Sequence, residues 1–229
     1  MIDATNWIET DVMEPLPGAP EFLLLRESHH RLMNSFAFMG AYLRLHSDAT
    51  TGTLPRGAVA RLAEMITAQG KLHQCLALRQ RREPIPFNDY ITRLCRCLSD
   101  AVLHPFGITY DLVADAGYLS AWQCERLGLA LTELAMNAVK HGFHGRSDGK
   151  VCIEARRRGE RWHCVVADNG CWADPMSQNK VGDSRNSDMS VGFQIVESLV
   201  GTLGGTKVAH LTPAGTIVVM TFPAVLHAR

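Results

Sequence analysis

Between Glu21 and His46 apolar residues fall at Leu25, Leu32, Phe36, Met39 and Leu43, and with His29 inserted the steps run four, three, four, three, four. That spacing predicts a helix with a coiled-coil seam, in which a repeat of about 3.5 residues keeps one face toward a partner. After a loop at 47–55 rich in Thr and Gly, a second helical pattern passes through Val59, Leu62, Met65, Ile66, Leu72, Leu76 and Leu78 and ends near Gln80. Two helices joined by a short loop make an antiparallel hairpin. One hairpin cannot bury its seams alone, so pairing with a copy as a four-helix bundle is expected, and with it a homodimer through residues 21–83.

Pro15, Pro17, Gly18 and Pro20 keep regular structure out of residues 1–20, which read as a leader. Glu83-Pro84-Ile85-Pro86 reads as a linker, because proline disfavours helix at its own position and at the one before it. The expected domains are therefore the leader, the hairpin at 21–83 and a second domain at 84–229. In that second domain the pattern predicts a helix over 88–102, a strand over 108–113 and a helix over 120–141. Strands at 151–155 and 161–168 flank Arg157-Arg158-Gly159-Glu160 as a hairpin, a helix spans 192–203, and a last strand spans 215–222. Trp172 to Met189 is too polar to pack and reads as a loop lying over something. The fold class is α+β.

Composition narrows the partners. Hydrophobic residues make up 46% of the 229 and charged residues 20%, which is an ordinary globular balance. Twenty-three basic residues offset twenty-three acidic ones, so no overall field draws the molecule onto nucleic acid or an anionic membrane, and neither is expected as a partner. Seven cysteines include no C-x-x-C pair, and Cys95 and Cys97 have no second ligand pair, so reduced thiols are expected rather than zinc. Met1 to Glu14 lacks the basic and apolar regions of a signal peptide, and no stretch nears the roughly 18 apolar residues of a membrane span. No membrane insertion and a cytoplasmic location are the expectation.

The chemistry gathers on the helix around 131–141. At 100° per residue Glu133, Asn137, Lys140 and His141 share one face, while Leu127, Leu131, Leu134 and Ala138 take another. A carboxylate, an amide oxygen and two donors in line suit a divalent cation and the phosphates it bridges, although a polar helix face is by itself more often just solvated. Val165-Val166-Ala167-Asp168-Asn169-Gly170 ends a strand in an Asp and a glycine turn, and a carboxylate there can accept from a base amino group. Ser190-Val191-Gly192-Phe193-Gln194-Ile195-Val196 reads as a helix start, where glycine allows close approach to phosphate.

In this order the motifs resemble the Bergerat-fold ATPases shared by gyrase, Hsp90 and histidine kinases. Glu133 to His141 is similar to the N box, Asp168-Asn169-Gly170 to the G1 box, Ser190 to Val196 to the G2 box and Gly215-Thr216 to the terminal strand. Glu27-Ser28-His29-His30-Arg31-Leu32-Met33-Asn34, with Tyr42-Leu43-Arg44-Leu45, Lys71-Leu72-His73-Gln74 and Ile85-Pro86-Phe87-Asn88-Asp89-Tyr90, resembles the HisKA_2 class of histidine kinases, related to the HWE group. Two positions depart from the pattern: Ser190 stands for the first glycine of the G2 box, and Met33 for a lysine common in the H box.

The resemblance implies a dimeric hairpin followed by an α/β sandwich that binds ATP and Mg2+. It makes His30 the phosphoacceptor, with Glu27 on the same face to orient its ring or take its proton. It makes Asn137 the Mg2+ ligand and Glu133 the holder of a metal-bound water or an aid to proton transfer. Lys140 and His141 would approach the phosphates, Asp168 would read adenine, and Gly170, Gly192 and Thr216 would line the nucleotide, with Trp172 to Met189 as the lid. The implied reaction is autophosphorylation of His30 from Mg-ATP and transfer to an aspartate of a response-regulator receiver domain. With no sensor fitting in the leader, input is expected from a separate sensor protein, from the leader, or not at all. The alternative is a histidine phosphotransfer or docking protein of the same fold that does not use ATP. A serine kinase of the anti-sigma type is disfavoured, because it needs no H-box hairpin.

Overall fold

The computed structural model describes residues 57–78, 83–143, 148–170, 184–212 and 214–224. All belong to one of two compact units of the chain, Pro55–Arg229, the other being Met1–Leu54. The first predicted helix with its seam, including Glu27 and His30, lies outside the described residues, as does the dimer contact expected of it.

Helix α1, Ala58–Leu76, follows Gly57, whose φ of 88° a side chain would resist. It buries Met65, Gln69, Leu72, Cys75 and Leu76 as one stripe. Ile66, expected in the seam, is 53% exposed because it stands about 100° from Met65 on the helix. The stripe is covered by the chain's own following elements: the Gln69 side chain donates to the Ala101 carbonyl at 3.1 Å, and Leu76 reaches the helix carrying Gly128.

Part of the expected linker is structured. Ile85–Pro86 forms β1, paired antiparallel with β3 at Tyr118–Leu119. Proline is tolerated in so short a ladder, and the next residue restores the pairing, since the Phe87 N–H donates to the Gly117 carbonyl at 2.8 Å. Helix α2, Phe87–Leu98, buries Phe87, Tyr90, Ile91, Leu94, Cys95 and Leu98 at helical spacing. It runs on through a π turn at Ser99–Leu103 and a short 3-10 turn, and Gly107 ends it at φ 72°. Strand β2 is Thr109–Ala114, one residue later than the pattern predicted.

Helix α3, Ala121–Asn137, starts at a capping box: the Ser120 hydroxyl accepts from the Gln123 N–H at 3.1 Å, and the Ser120 N–H donates to Gln123 Oε1 at 3.1 Å. A cap of this kind contributes about 1 kcal/mol and fixes where the helix begins. Strands β4, Lys150–Arg158, and β5, Arg161–Asp168, form the predicted hairpin, turning at Gly159 with φ 61°. Helix α4 is Ser184–Thr202, and strands β6, Thr206–Thr212, and β7, Gly215–Pro223, complete the fold.

The sheet order is β2-β4-β5-β7-β6, with β2 and β4 parallel and the other neighbours antiparallel. Alternate residues of its central strands are buried: Val151, Ile153 and Ala155 in β4, Trp162, Cys164 and Val166 in β5, and Val218, Met220 and Phe222 in β7. They form the core together with the buried stripes of the helices. The short strands β1 and β3 and the edge strand β6 were absent from the sequence expectation. In β6, Thr206, Lys207 and His210 dilute the apolar signal of a seven-residue strand.

Candidate functional site

Helix α3 is the axis of the site. From Leu127 to Val139 every residue is buried, Glu133 at 4% exposure and Asn137 at 5%. The Glu133 and Asn137 part of the polar face read from the sequence is therefore not solvated; it lies inside the fold, where α3 packs with α4. Burying a carboxylate and an amide one turn apart is costly unless each finds a partner. The Asn137 side-chain nitrogen has no hydrogen-bond partner among the described residues.

Gly192 of α4 closes on that amide. A Cβ at Gly192 would stand 2.7 Å from Asn137 Nδ2 and 2.9 Å from Oδ1, so any side chain there would have to displace the Asn137 amide. The expectation that Gly192 lies at a helix N-terminus needs correction. The helix starts at Ser184, so residues 184–189, expected in the loop, are helical, and Gly192 sits in the helix interior. Extending a helix already nucleated by its packed half needs no new nucleus, which is how a polar segment of weak propensity joins it. The rest of the expected lid, 172–183, lies outside the described residues.

At the C-terminal end of α3 the helix widens into a π turn, Ala138–Gly142, closed by the Phe143 N–H donating to the Ala138 carbonyl at 2.9 Å. Such turns recur at functional sites because the extra residue redirects side chains, here those of the half-buried Lys140 and His141. Gly142 then meets Gly170: a Cβ on Gly170 would lie 2.6 Å from the Gly142 backbone. Sequence reasoning missed Gly142, whose signal was a glycine at the end of a helical pattern.

Asp168 ends β5 opposite Thr216 of β7. One of its carboxylate oxygens accepts from the Gly170 N–H at 2.9 Å, which orients the group over the glycine turn. Gly215, at φ 142°, presses against the Asp168 carbonyl where a side chain would collide. Thr216 is 3% exposed, and its hydroxyl has no partner among the described residues. The structure thus joins Asn137 to Gly192, and Asp168 to Gly170, Gly215 and Thr216, with the Gly142–Gly170 contact linking the second group to the end of α3.

A profile of the histidine kinase-like ATPase domain matches residues 92–222, and a second profile, HisKA_2 of the histidine kinases, matches 27–102. The chain belongs to the histidine kinases. It is 29% identical over 202 residues to the sensor histidine kinase PdtaS of Mycolicibacterium smegmatis, a match covering 87% of this chain and 39% of that one. To a blue-light-activated histidine kinase of Erythrobacter litoralis it is 26% identical over 211 residues, covering 87% of this chain and 56% of the relative. The chain therefore spans only about two-fifths to just over half of the length of these relatives. The histidine kinase domain of a blue-light activated kinase from Erythrobacter litoralis has the same fold, with a TM-score of 0.52 at 20% identity over 85% of this chain and 94% of that one.

The donor set fits the nucleotide such domains take. Among the described residues no cluster of three His, Cys, Asp or Glu side chains would hold a metal ion by itself. Magnesium does not require one, since it keeps waters, shares phosphate oxygens and needs only one or two protein oxygens. The Asn137 amide nitrogen and the Thr216 hydroxyl, buried and without partners among the described residues, leave two polar groups for a bound nucleotide to engage. Among the described residues no helix is long and apolar enough to cross a membrane.

Proposed function

We propose that this chain carries the kinase core of a two-component sensor, binding Mg-ATP in its C-terminal domain and phosphorylating its own His30. In this reading residues 1–20 are a leader, 21–83 the dimerising and phosphoacceptor hairpin, and 84–229 the ATP-binding domain. What supports it most directly is the pair Glu133 and Asn137, buried one turn apart on α3 with the Asn137 amide against Gly192.

Asn137 would hold Mg2+, with Glu133 holding a metal-bound water or aiding proton transfer, and the bound ion would supply charge neutralisation at the phosphates. Lys140 and His141 donate to phosphate oxygens, Asp168 accepts from the adenine amino group, and Gly170, Gly192 and Thr216 line the nucleotide. These groups position the γ-phosphate and exclude water from it. A ring nitrogen of His30, with Glu27 orienting the imidazole, attacks the γ-phosphorus; the N–P bond forms, the bond to the β-phosphate bridge breaks, and ADP leaves. The phosphoramidate then passes to an aspartate on a receiver domain. A homodimer through 21–83 and a separate sensor protein complete the proposed partners.

The test is incubation with Mg2+ and γ-labelled ATP, followed by acid and alkali treatment of the product. Acid-labile, alkali-stable label that falls to background in His30→Ala and in Asn137→Ala is expected. No label together with no nucleotide binding would overturn the kinase reading and favour a phosphotransfer or docking protein that does not use ATP.

A further inference from the structure

Strand β6 turns Lys207, Ala209 and Leu211 toward the interior and Thr206, Val208, His210 and Thr212 outward. Lys207 is thus a cation at a core-facing position, its side chain only 10% exposed. A lysine so placed is costly unless its donors are used. Its ammonium donates to the Phe193 main-chain carbonyl at 2.9 Å, pairs with the Glu197 carboxylate at 3.0 Å and lies 5.3 Å from the centre of the Phe193 ring. All three contacts fall on one turn of α4.

That turn adjoins the site. Phe193 follows Gly192, whose backbone packs on the Asn137 amide. The C-terminal half of α4 is held by Val196, Leu199, Val200 and Leu203, buried at 5% exposure or less. Ahead of Val196 the half-buried Phe193 and Ile195 contribute less apolar anchoring, and a charged hydrogen bond to the Phe193 carbonyl supplies a directional hold there.

We propose that Lys207 is a positioning residue for nucleotide: through Phe193 and Glu197 it sets the rotation and depth of the α4 turn that carries Gly192 against Asn137. It touches no substrate itself. The inference rests on the ATP-binding reading and deepens it, by assigning the placement of the Gly192 turn to a side chain from the sheet rather than to α4 alone.

Titrating the full chain with Mg2+ and a non-hydrolysable ATP analogue by calorimetry tests it, with the thermal midpoint and autophosphorylation rate measured in parallel. Lys207→Met is expected to bind about fivefold more weakly, with the maximal rate at saturating ATP retained. Its thermal midpoint should hold, because removing a core-facing charge offsets the bonds lost. Lys207→Arg keeps the charge and the donors, and should bind within about twofold of the parent. Amides at 193–197 should exchange faster in Lys207→Met before nucleotide is added. Unchanged affinity and exchange in Lys207→Met, or a lower midpoint with unchanged affinity, would overturn the proposal and leave a tether for stability only. Should the methionine variant not fold, Lys207→Gln, which removes the charge and has a shorter, neutral amide in its place, carries the same comparison. If the parent chain binds no nucleotide, the ATP reading falls, and this inference with it.

Discussion

Asn137 and Gly192 show how closely the site is fitted. The sequence placed Glu133, Asn137, Lys140 and His141 on one helix face, because a 100° step is a property of the backbone. It did not reveal that the Glu133 and Asn137 part of this face is buried, since burial depends on α4, which arrives some fifty residues later. Gly192→Ala separates two effects: alanine favours a helix interior by about 1 kcal/mol over glycine, but the new methyl must displace the Asn137 amide. The expected outcome is a thermal midpoint near that of the parent and Mg-ATP binding at least tenfold weaker by calorimetry. Parent-like affinity would remove Gly192 from the site.

Among the elements, the joint between α1, α2 and α3 depends on Gly128. A Cβ there would meet the Tyr90 hydroxyl and stand 2.7 Å from Leu76 Cδ2, while that hydroxyl donates to the Cys124 carbonyl at 2.7 Å. The periodicity of Met65, Leu72 and Leu76 was legible, but not which surface covers it: a hydrophobic seam specifies burial without naming a partner. Gly128→Ala should lower unfolding stability by about 1–3 kcal/mol through overpacking, and adding Tyr90→Phe should recover part of that loss. Urea denaturation of the two single variants and the double checks the coupling; strict additivity would mean the Tyr90 contact is not what the methyl strains. The start of α3 was readable because Ser120 and Gln123 act within four residues, whereas the early start of α4 and the pairing of β1 with β3 depend on context.

Over the whole molecule, the six described cysteines, Cys75, Cys95, Cys97, Cys124, Cys152 and Cys164, are free thiols. Burial pushes Cys95, Cys124 and Cys164 each up to about 12 from an ordinary 9.0. Above pH 9 the unfolded chain loses these protons and the folded chain keeps them. Stability is therefore unaffected below about 9 and falls as pH rises from there toward 12, by roughly 1 kcal/mol per thiol at pH 10. Urea midpoints at pH 8 and pH 10 should show the loss, and Cys164→Ala should reduce its size although it lowers stability at pH 8. An equal fall in parent and variant would show that the buried Cys164 thiol is not a source of it. The sequence by itself determined the α+β class, the helical and strand periods, the Ser120 start and the order of the nucleotide motifs, because each is written in residues within a few positions of one another. Only the tertiary structure decided that the Glu133 and Asn137 face is enclosed, that α1 packs its stripe on α2 and α3, that Gly192 lies inside a helix and that Lys207 reaches Phe193. Those features arise where distant segments exclude water together, and no local pattern records which segments meet.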